Sequence, residues 1–198
     1  MRLSFGEFVD GLTPKTLLVI CGLPASFKSR ISEEISRVKG YVVLRSDLIR
    51  LEVLKGKNIF DSKVAGNMDN RLVVYEEMFR QADCLAGKGE SGVILDATFV
   101  TQELRRRAAE IALKNGLELV VLQTVCPEEK SLEIIRQRTK EKYESNAVTE
   151  EAYFANKNKF EAVDVEDLQA RYAPLQVKFF SVHVCNAEPA SWSIIAES

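Results

Sequence analysis

The chain has 198 residues, 46% of them hydrophobic and 28% charged, with a formal net charge of −2. That length suits one α/β domain spanning residues 1–198, and so small a charge gives no global field for nonspecific duplex binding. No apolar run approaches membrane-spanning length and no signal-peptide core opens the chain, so a cytoplasmic protein without a membrane partner is expected.

Residues 1–14 read as a short amphipathic lead-in, with Leu3, Phe5, Phe8, Val9 and Leu12 ahead of Thr13-Pro14. Residues 16–21 form a continuous apolar run of strand length, and a helix is expected over about 29–39. A second short strand follows at 41–44, then an irregular excursion over 51–66. The helix expected at about 69–86 carries Leu72, Tyr75, Met78, Phe79 and Ala82 at helical spacing. Residues 92–96 read as a third strand ending in the carboxylate of Asp96. A helix over 101–115 is closed by Gly116 in the C′ role. Residues 117–125 form the fourth strand, and Pro127-Glu128-Glu129 begins a helix with proline early and acids in its first turn. That helix carries Arg136, Arg138, Lys140 and Lys142. A helix at about 149–162, a last strand at 177–184 and a tail at 186–198 complete the chain. Strands alternating with helices predict a parallel sheet covered on both faces, with ligands beyond the carboxyl ends of its strands.

The four cysteines, Cys21, Cys84, Cys126 and Cys185, are widely spaced and lack a C-x-x-C pair, so reduced and mostly buried thiols are expected. The single histidine, His183, lies in an apolar run and reads as a core or edge-strand residue, which disfavours a histidine relay.

The richest stretch is Gly22-Leu23-Pro24-Ala25-Ser26-Phe27-Lys28-Ser29-Arg30. After a buried strand and before a helix, it has the layout of a phosphate-binding loop, G-x-x-x-x-G-K-[ST], with Phe27 at the second glycine. Backbone N–H groups of such a loop and of the following helix cradle phosphates. Lys28 would reach the β- and γ-phosphates and the Ser29 hydroxyl would ligate Mg²⁺. A phenylalanine forced to positive φ would cost roughly 1–3 kcal/mol of strain.

Phosphoryl transfer also needs a metal clamp, a group that accepts the acceptor's proton, and cations over the transferring group. Ser29 with Asp96 can supply the clamp. Asp47, just after the second strand, can accept a hydroxyl proton. Arg50, one helical turn on, can hold the acceptor or its phosphate. Arg136, Arg138 and Lys140 can close over the site, with Arg136 and Lys140 on one helix face and Arg138 on another. Each has a plainer reading. Asp47 and Asp96 can cap helices, and the late cations can be surface charges balanced by Glu133, Glu141 and Glu144. Arg105-Arg106-Arg107 can be a solvated face with only Arg105 turned inward. Glu161, Asp164, Glu166 and Asp167 read as solvated surface.

Together these residues resemble a group of P-loop kinases that includes polynucleotide 5′-kinases, zeta-type toxins and bacterial AAA-like kinases. The resemblance is carried by Gly22, Lys28 and Ser29; by Ser46-Asp47 with Arg50; and by Val93-Ile94-Leu95-Asp96-Ala97-Thr98-Phe99. Arg105, the Arg136-x-x-x-Lys140 pair and the segment 150–161 extend it, over about residues 16–165. It implies a three-layer P-loop sandwich with a five-stranded parallel sheet and a helical lid at about 128–147. It also implies ATP and Mg²⁺ as cofactors and an activity moving the γ-phosphoryl group to a hydroxyl acceptor. In that comparison Lys28, Asp47 and Arg136 are catalytic, Asp47, Arg50 and Arg105 bind the acceptor, and Arg136 and Lys140 belong to the lid. Two departures stand out: Phe27 replaces a glycine, and Lys140 stands where the group usually has arginine. The resemblance leaves the acceptor unidentified. A catalytically silent nucleotide-binding module and a polynucleotide 5′-hydroxyl kinase are the alternatives, nucleic acid being the less favoured partner. No feature of the sequence sets an oligomeric state.

Overall fold

The structure, a computed structural model, describes residues 1–56, 67–138 and 149–197. In chain order its helices and strands are β1 (Arg2–Ser4), α1 (Phe5–Asp10), β2 (Thr16–Cys21), α2 (Lys28–Lys39), β3 (Val42–Arg45), α3 (Ser46–Val53), α4 (Met68–Lys88), β4 (Val93–Asp96), α5 (Gln102–Lys114), β5 (Glu118–Val125), α6 (Glu128–Gln137), α7 (Glu150–Lys157), α8 (Val165–Arg171), β6 (Val177–His183) and β7 (Ser193–Glu197).

All six residues of β2 are buried, as a strand paired and covered on every side must be. It runs parallel to β4 on one side and β5 on the other. Side chains alternate between two cores. Leu17, Val19 and Cys21 face the core that holds Tyr75, Phe79 and Phe99, whereas Leu18 and Ile20 face the one that holds Phe8, Ile31 and Trp192. The sheet is therefore covered on both faces, by α4 and α5 on one and by α1 and α2 on the other.

Among the described residues the sheet has seven strands in the order β1-β7-β6-β5-β2-β4-β3, where sequence reasoning expected five. The five parallel strands are β3, β4, β2, β5 and β6; β7 adds antiparallel to β6, and β1 antiparallel to β7. The supposed lead-in and tail thus form the outer edge of the sheet. Strands of three and five residues carry too short a pattern to be read without their partners. One local signal lies in the sequence: Ser4 and Glu7 form a reciprocal capping box that starts α1 directly after β1.

Other boundaries moved for similar reasons. The helix expected to run on through Arg138 ends at Gln137, and Arg138 has extended backbone. Lys140, Lys142 and the end of the expected lid lie outside the described residues, as does most of the 51–66 excursion. The helix expected to reach residue 162 stops at Lys157, and a further helix, α8, begins at Val165. Asp164 caps α8 through the Asp167 N–H, and Asp167 takes a two-pronged bond from Arg106, which holds its carboxyl down at about 2. Part of the presumed solvated acid cluster is therefore built into the fold. Only Cys21 of the four cysteines is buried, and His183 is exposed at the end of an interior strand. Gly116 does take the left-handed conformation expected after α5.

The outer edge is packed rather than appended. Trp192 is 3% exposed, meets the Phe5 ring edge-on at 4.8 Å and donates its indole N–H to the Asn186 carbonyl at 2.9 Å. Trp192→Ala should cost about 3–5 kcal/mol of unfolding free energy in a denaturant titration. A loss below about 1 kcal/mol would return residues 186–197 to the status of a tail.

Candidate active site

The loop after β2 begins with a close approach that only glycine permits. Gly22 has φ +137°, donates its N–H to the Thr98 carbonyl at 3.2 Å, and would carry a Cβ 2.2 Å from the Thr124 Oγ1. Thr124 also donates to the Cys21 carbonyl at 3.1 Å and shares a hydrogen bond of 2.5 Å with the Ser26 hydroxyl. Ser26 donates to the Leu23 carbonyl at 2.7 Å, which closes Leu23, Pro24, Ala25 and Ser26 into a compact turn.

Ala25 and Phe27 both have left-handed backbone, Phe27 at φ 62° and ψ 15°. The glycine is replaced, yet the conformation glycine favours is present. The Phe27 ring packs against the core that holds Ile31 and Trp192, which offsets part of a strain of roughly 1–3 kcal/mol. Phe27 is the N-cap of α2, so Lys28, Ser29 and Arg30 form its first turn, where backbone N–H groups lack helical partners. The Lys28 ammonium donates to the Leu23 carbonyl at 2.7 Å, and Arg30 is exposed.

Asp96 is 4% exposed at the end of β4. Burial pushes its carboxyl above the usual carboxylate range and the like charge of Asp47 adds to this, while Lys28, a hydrogen bond from Ser29, and Arg45 pull it back. Ser32 also donates to it at 3.2 Å, and the Arg45 Nε lies 3.9 Å away. The same burial lowers the Lys28 ammonium, opposed by Asp96 and Asp47 and reinforced by Arg138. The structure therefore brings Lys28, Ser29, Asp96 and Asp47 together, with Arg45, which sequence reasoning had not assigned there, and Arg138, which it had named among the closing cations but turned to another helix face. Arg45 is signalled by its position at the end of a strand beside Ser46-Asp47. Arg138 was set aside on the premise of an unbroken helix.

Asp47 sits in the first turn of α3 and pairs with Arg50 at 2.5 Å, with the Arg50 side chain mostly buried. Tyr75 of α4 closes this side. Its hydroxyl takes the Phe99 N–H at 3.0 Å and lies 3.4 Å from the Thr98 hydroxyl, within the fields of Arg71 and Arg50.

Two expected residues are elsewhere. Arg105 has no exposed surface; it donates to the Glu161 carbonyl at 2.7 Å, the Ala162 carbonyl at 3.0 Å and the Gln102 side chain at 3.0 Å. It is a strut under the 158–162 segment, which corrects its assignment to acceptor contact. Arg136 is 63% exposed and pairs with Glu150 at 2.6 Å, and Lys140 lies outside the described residues.

Residues 17–163 match the sequence profile of the AAA domain family. No curated protein matches the chain significantly in sequence. Among solved structures the chain is similar to an unliganded sugar kinase from Janibacter sp. HTCC2649, with 13% identity and TM-score 0.58 over 85% of this chain and 86% of the other. It is similar to a gluconokinase from Sinorhizobium meliloti 1021, with 18% identity and TM-score 0.56 over 88% and 86%. It is also similar to Chaetomium thermophilum Kti12 in complex with ADP-AlF3, with 18% identity and TM-score 0.52 over 81% and 87%. These likenesses establish a P-loop kinase-like fold.

The raised Asp96 carboxyl has a sign that can be tested. The folded protein holds this proton more tightly than the unfolded chain, so ionised Asp96 subtracts stability above its folded pKa and nothing well below the ordinary range. Asp96→Asn should raise the melting temperature of the ligand-free protein near pH 7, with the gain vanishing towards about pH 4. A lower midpoint near neutrality would mean that Lys28, Ser29 and Arg45 outweigh burial.

Proposed function

The chain belongs to the AAA domain family, and from that premise we propose that it is an ATP- and Mg²⁺-dependent phosphotransferase acting on a hydroxyl acceptor, a small molecule or nucleotide-like compound. The observation that carries this reading is the meeting of Lys28, Ser29, Asp96 and Asp47 at the carboxyl ends of three neighbouring parallel strands. Lys28 would bridge the β- and γ-phosphates, and the backbone N–H groups from Ala25 to Arg30 would surround them. Ser29 and Asp96 would hold Mg²⁺. Their donors are a hydroxyl and a carboxylate with no sulfur or imidazole, which suits a hard cation that fills its other positions with phosphate and water. Held there, Mg²⁺ would supply charge neutralisation for the triphosphate.

Asp47 would accept the proton of the acceptor hydroxyl as its oxygen attacks, with Arg50 orienting the carboxylate. Arg138 is partly buried and lowers the Lys28 ammonium, so it is our candidate for the cation facing the transferring group, in place of Arg136. The neighbours named as a sugar kinase and a gluconokinase support a small hydroxylated acceptor, and the Kti12 complex with ADP-AlF3 supports a nucleotide at the loop. A cytoplasmic location belongs to the same reading. Among the described residues no helix is long and apolar enough to cross a membrane.

The test is turnover. Lys28→Ala should abolish Mg·ATP binding in calorimetry while unfolding stays cooperative. Asp47→Asn should keep ATP affinity and lower phosphoryl transfer by roughly 10²–10⁴-fold. Tight ATP binding without ADP release over a broad hydroxyl-acceptor screen would favour a silent nucleotide-binding module.

The two arginines separate by kinetics. A cation acting on developing charge contributes in the transition state, so Arg138→Ala should lower kcat by about 10²-fold with little change in KM for ATP. Arg136→Ala, which breaks only an exposed pair with Glu150, should change kcat by less than about threefold. The reverse ranking would restore Arg136.

A further inference from the structure

We propose that a cavity of about 470 Å³ beside this site binds the body of the acceptor, and that the acceptor is a compact amphiphile with an apolar or aromatic body and an anionic group. This rests on the phosphotransferase reading. The cavity lies between α4, the start of α5 and the segment after α7, and its volume falls in the range that encloses small organic ligands.

Its wall joins the phosphate loop through two contacts. The Tyr75 ring lines the cavity, while its hydroxyl meets Thr98 and the Phe99 N–H; the Thr98 carbonyl in turn takes the Gly22 N–H. Arg50, the partner of Asp47, lies within the electrostatic reach of Tyr75. An occupant of the cavity therefore lies against the wall shared with the groups that would handle its hydroxyl.

The lining decides the chemistry. Leu72, Val100, Leu104, Phe160 and the Tyr75 ring make the wall mostly apolar. A polyol packed there would leave hydroxyls without partners, whereas a ring or alkyl body would not. The charges are unequally satisfied. Glu103 pairs with Arg106 at 3.2 Å, and Glu161 accepts the Gln102 N–H at the start of α5. Among the described residues, by contrast, the Arg71 side chain donates only to the neutral Asn156 side chain, at 3.0 Å, and the Lys159 ammonium has no hydrogen-bond or ion-pair partner. Both cations line the cavity, so an anionic group on the ligand has a defined side. The wall itself is fixed: Arg105 holds the carbonyls of Glu161 and Ala162, and the Glu161 N–H donates to the Val100 carbonyl at 2.8 Å.

The test is direct binding, read by amide chemical shifts of the full chain without nucleotide. The probes are 4-(hydroxymethyl)benzoate and gluconate, which both carry a hydroxyl and a carboxylate but differ in body. The benzoate should bind at least about tenfold tighter than gluconate and shift Tyr75, Leu104 and Phe160. Leu72→Trp, which fills the lip from a half-exposed position, and Lys159→Glu, which reverses a charge at the surface, should each weaken the benzoate about tenfold or more. Mg·ATP affinity should be unchanged in both. Gluconate binding as tightly as the benzoate, shifts confined to other parts of the chain, or benzoate binding indifferent to both variants would each overturn the proposal. This readout involves no phosphoryl transfer. Its failure would leave the phosphotransferase reading standing, and a failure of Lys28-dependent ATP binding would show separately.

Discussion

Asp96 ends β4 with its carboxylate out of water, and the residues around it answer that one cost. An isolated buried carboxylate is unfavourable by several kcal/mol unless neighbours supply charge or hydrogen bonds. Here the answer comes from three elements at once. α2 contributes Lys28, Ser29 and Ser32, β3 contributes Arg45, and β4 carries the acid itself. Strand register makes this possible, because Asp96 lies level with Ile20 of β2 and Arg45 of β3. Parallel strands ending at one height turn three chain ends into a single polar floor. The balance remains unfavourable to the carboxylate, whose pKa stays raised. A cation beside Asp96, as the proposed Mg²⁺ role requires, would relieve that cost.

The phosphate loop shows the difference between a residue and the conformation it usually serves. Gly22 cannot be replaced on steric grounds, because Thr124 occupies the place of its Cβ. At Phe27 the requirement is a left-handed backbone, which costs energy for a phenylalanine but is not forbidden. The loop around it is tied by Gly22 to Thr98, by Ser26 to Leu23 and Thr124, and by Lys28 to Leu23. Those ties and the packed ring hold the strained residue in place. A motif written as a glycine therefore records ease of formation.

The central fold was legible because its signals are long and local. The strands around β2 are apolar runs bounded by glycine, proline and acids, and their order of appearance implies the parallel core. β1 and β7 were not legible, since each is short and owes its existence to a partner far away in sequence. Within the site, Lys28 and Ser29 could be nominated from the loop motif, and Asp47 and Asp96 from strand-end position. Arg138 could be named but not ranked above Arg136, because its direction depends on where α6 stops, and helix ends are the least certain feature of a periodic pattern. Arg105 misled for a related reason. Turning inward from a helix was foreseeable, but whether an inward arginine meets a cleft or a set of backbone carbonyls depends on the segment packed against it.

The loop from Asp96 to Thr101 ties these observations into one device. At its start Asp96 faces Lys28; two residues on, Thr98 accepts the Gly22 N–H; Val100 and Thr101 then line the cavity. Between them Phe99 has φ 45° and no exposed surface, its ring 5.4 Å from Tyr75 and 6.3 Å from Phe79, and its N–H on the Tyr75 hydroxyl. A non-glycine residue in that conformation persists only where its surroundings determine it. The aromatic packing does so here, and it fixes both ends of the loop at once. The phosphate side and the cavity side are then held at a set separation by α4 and β4. The proposed transfer between two such subsites would require little rearrangement of the floor that joins them, because the orientation is already built into the packing.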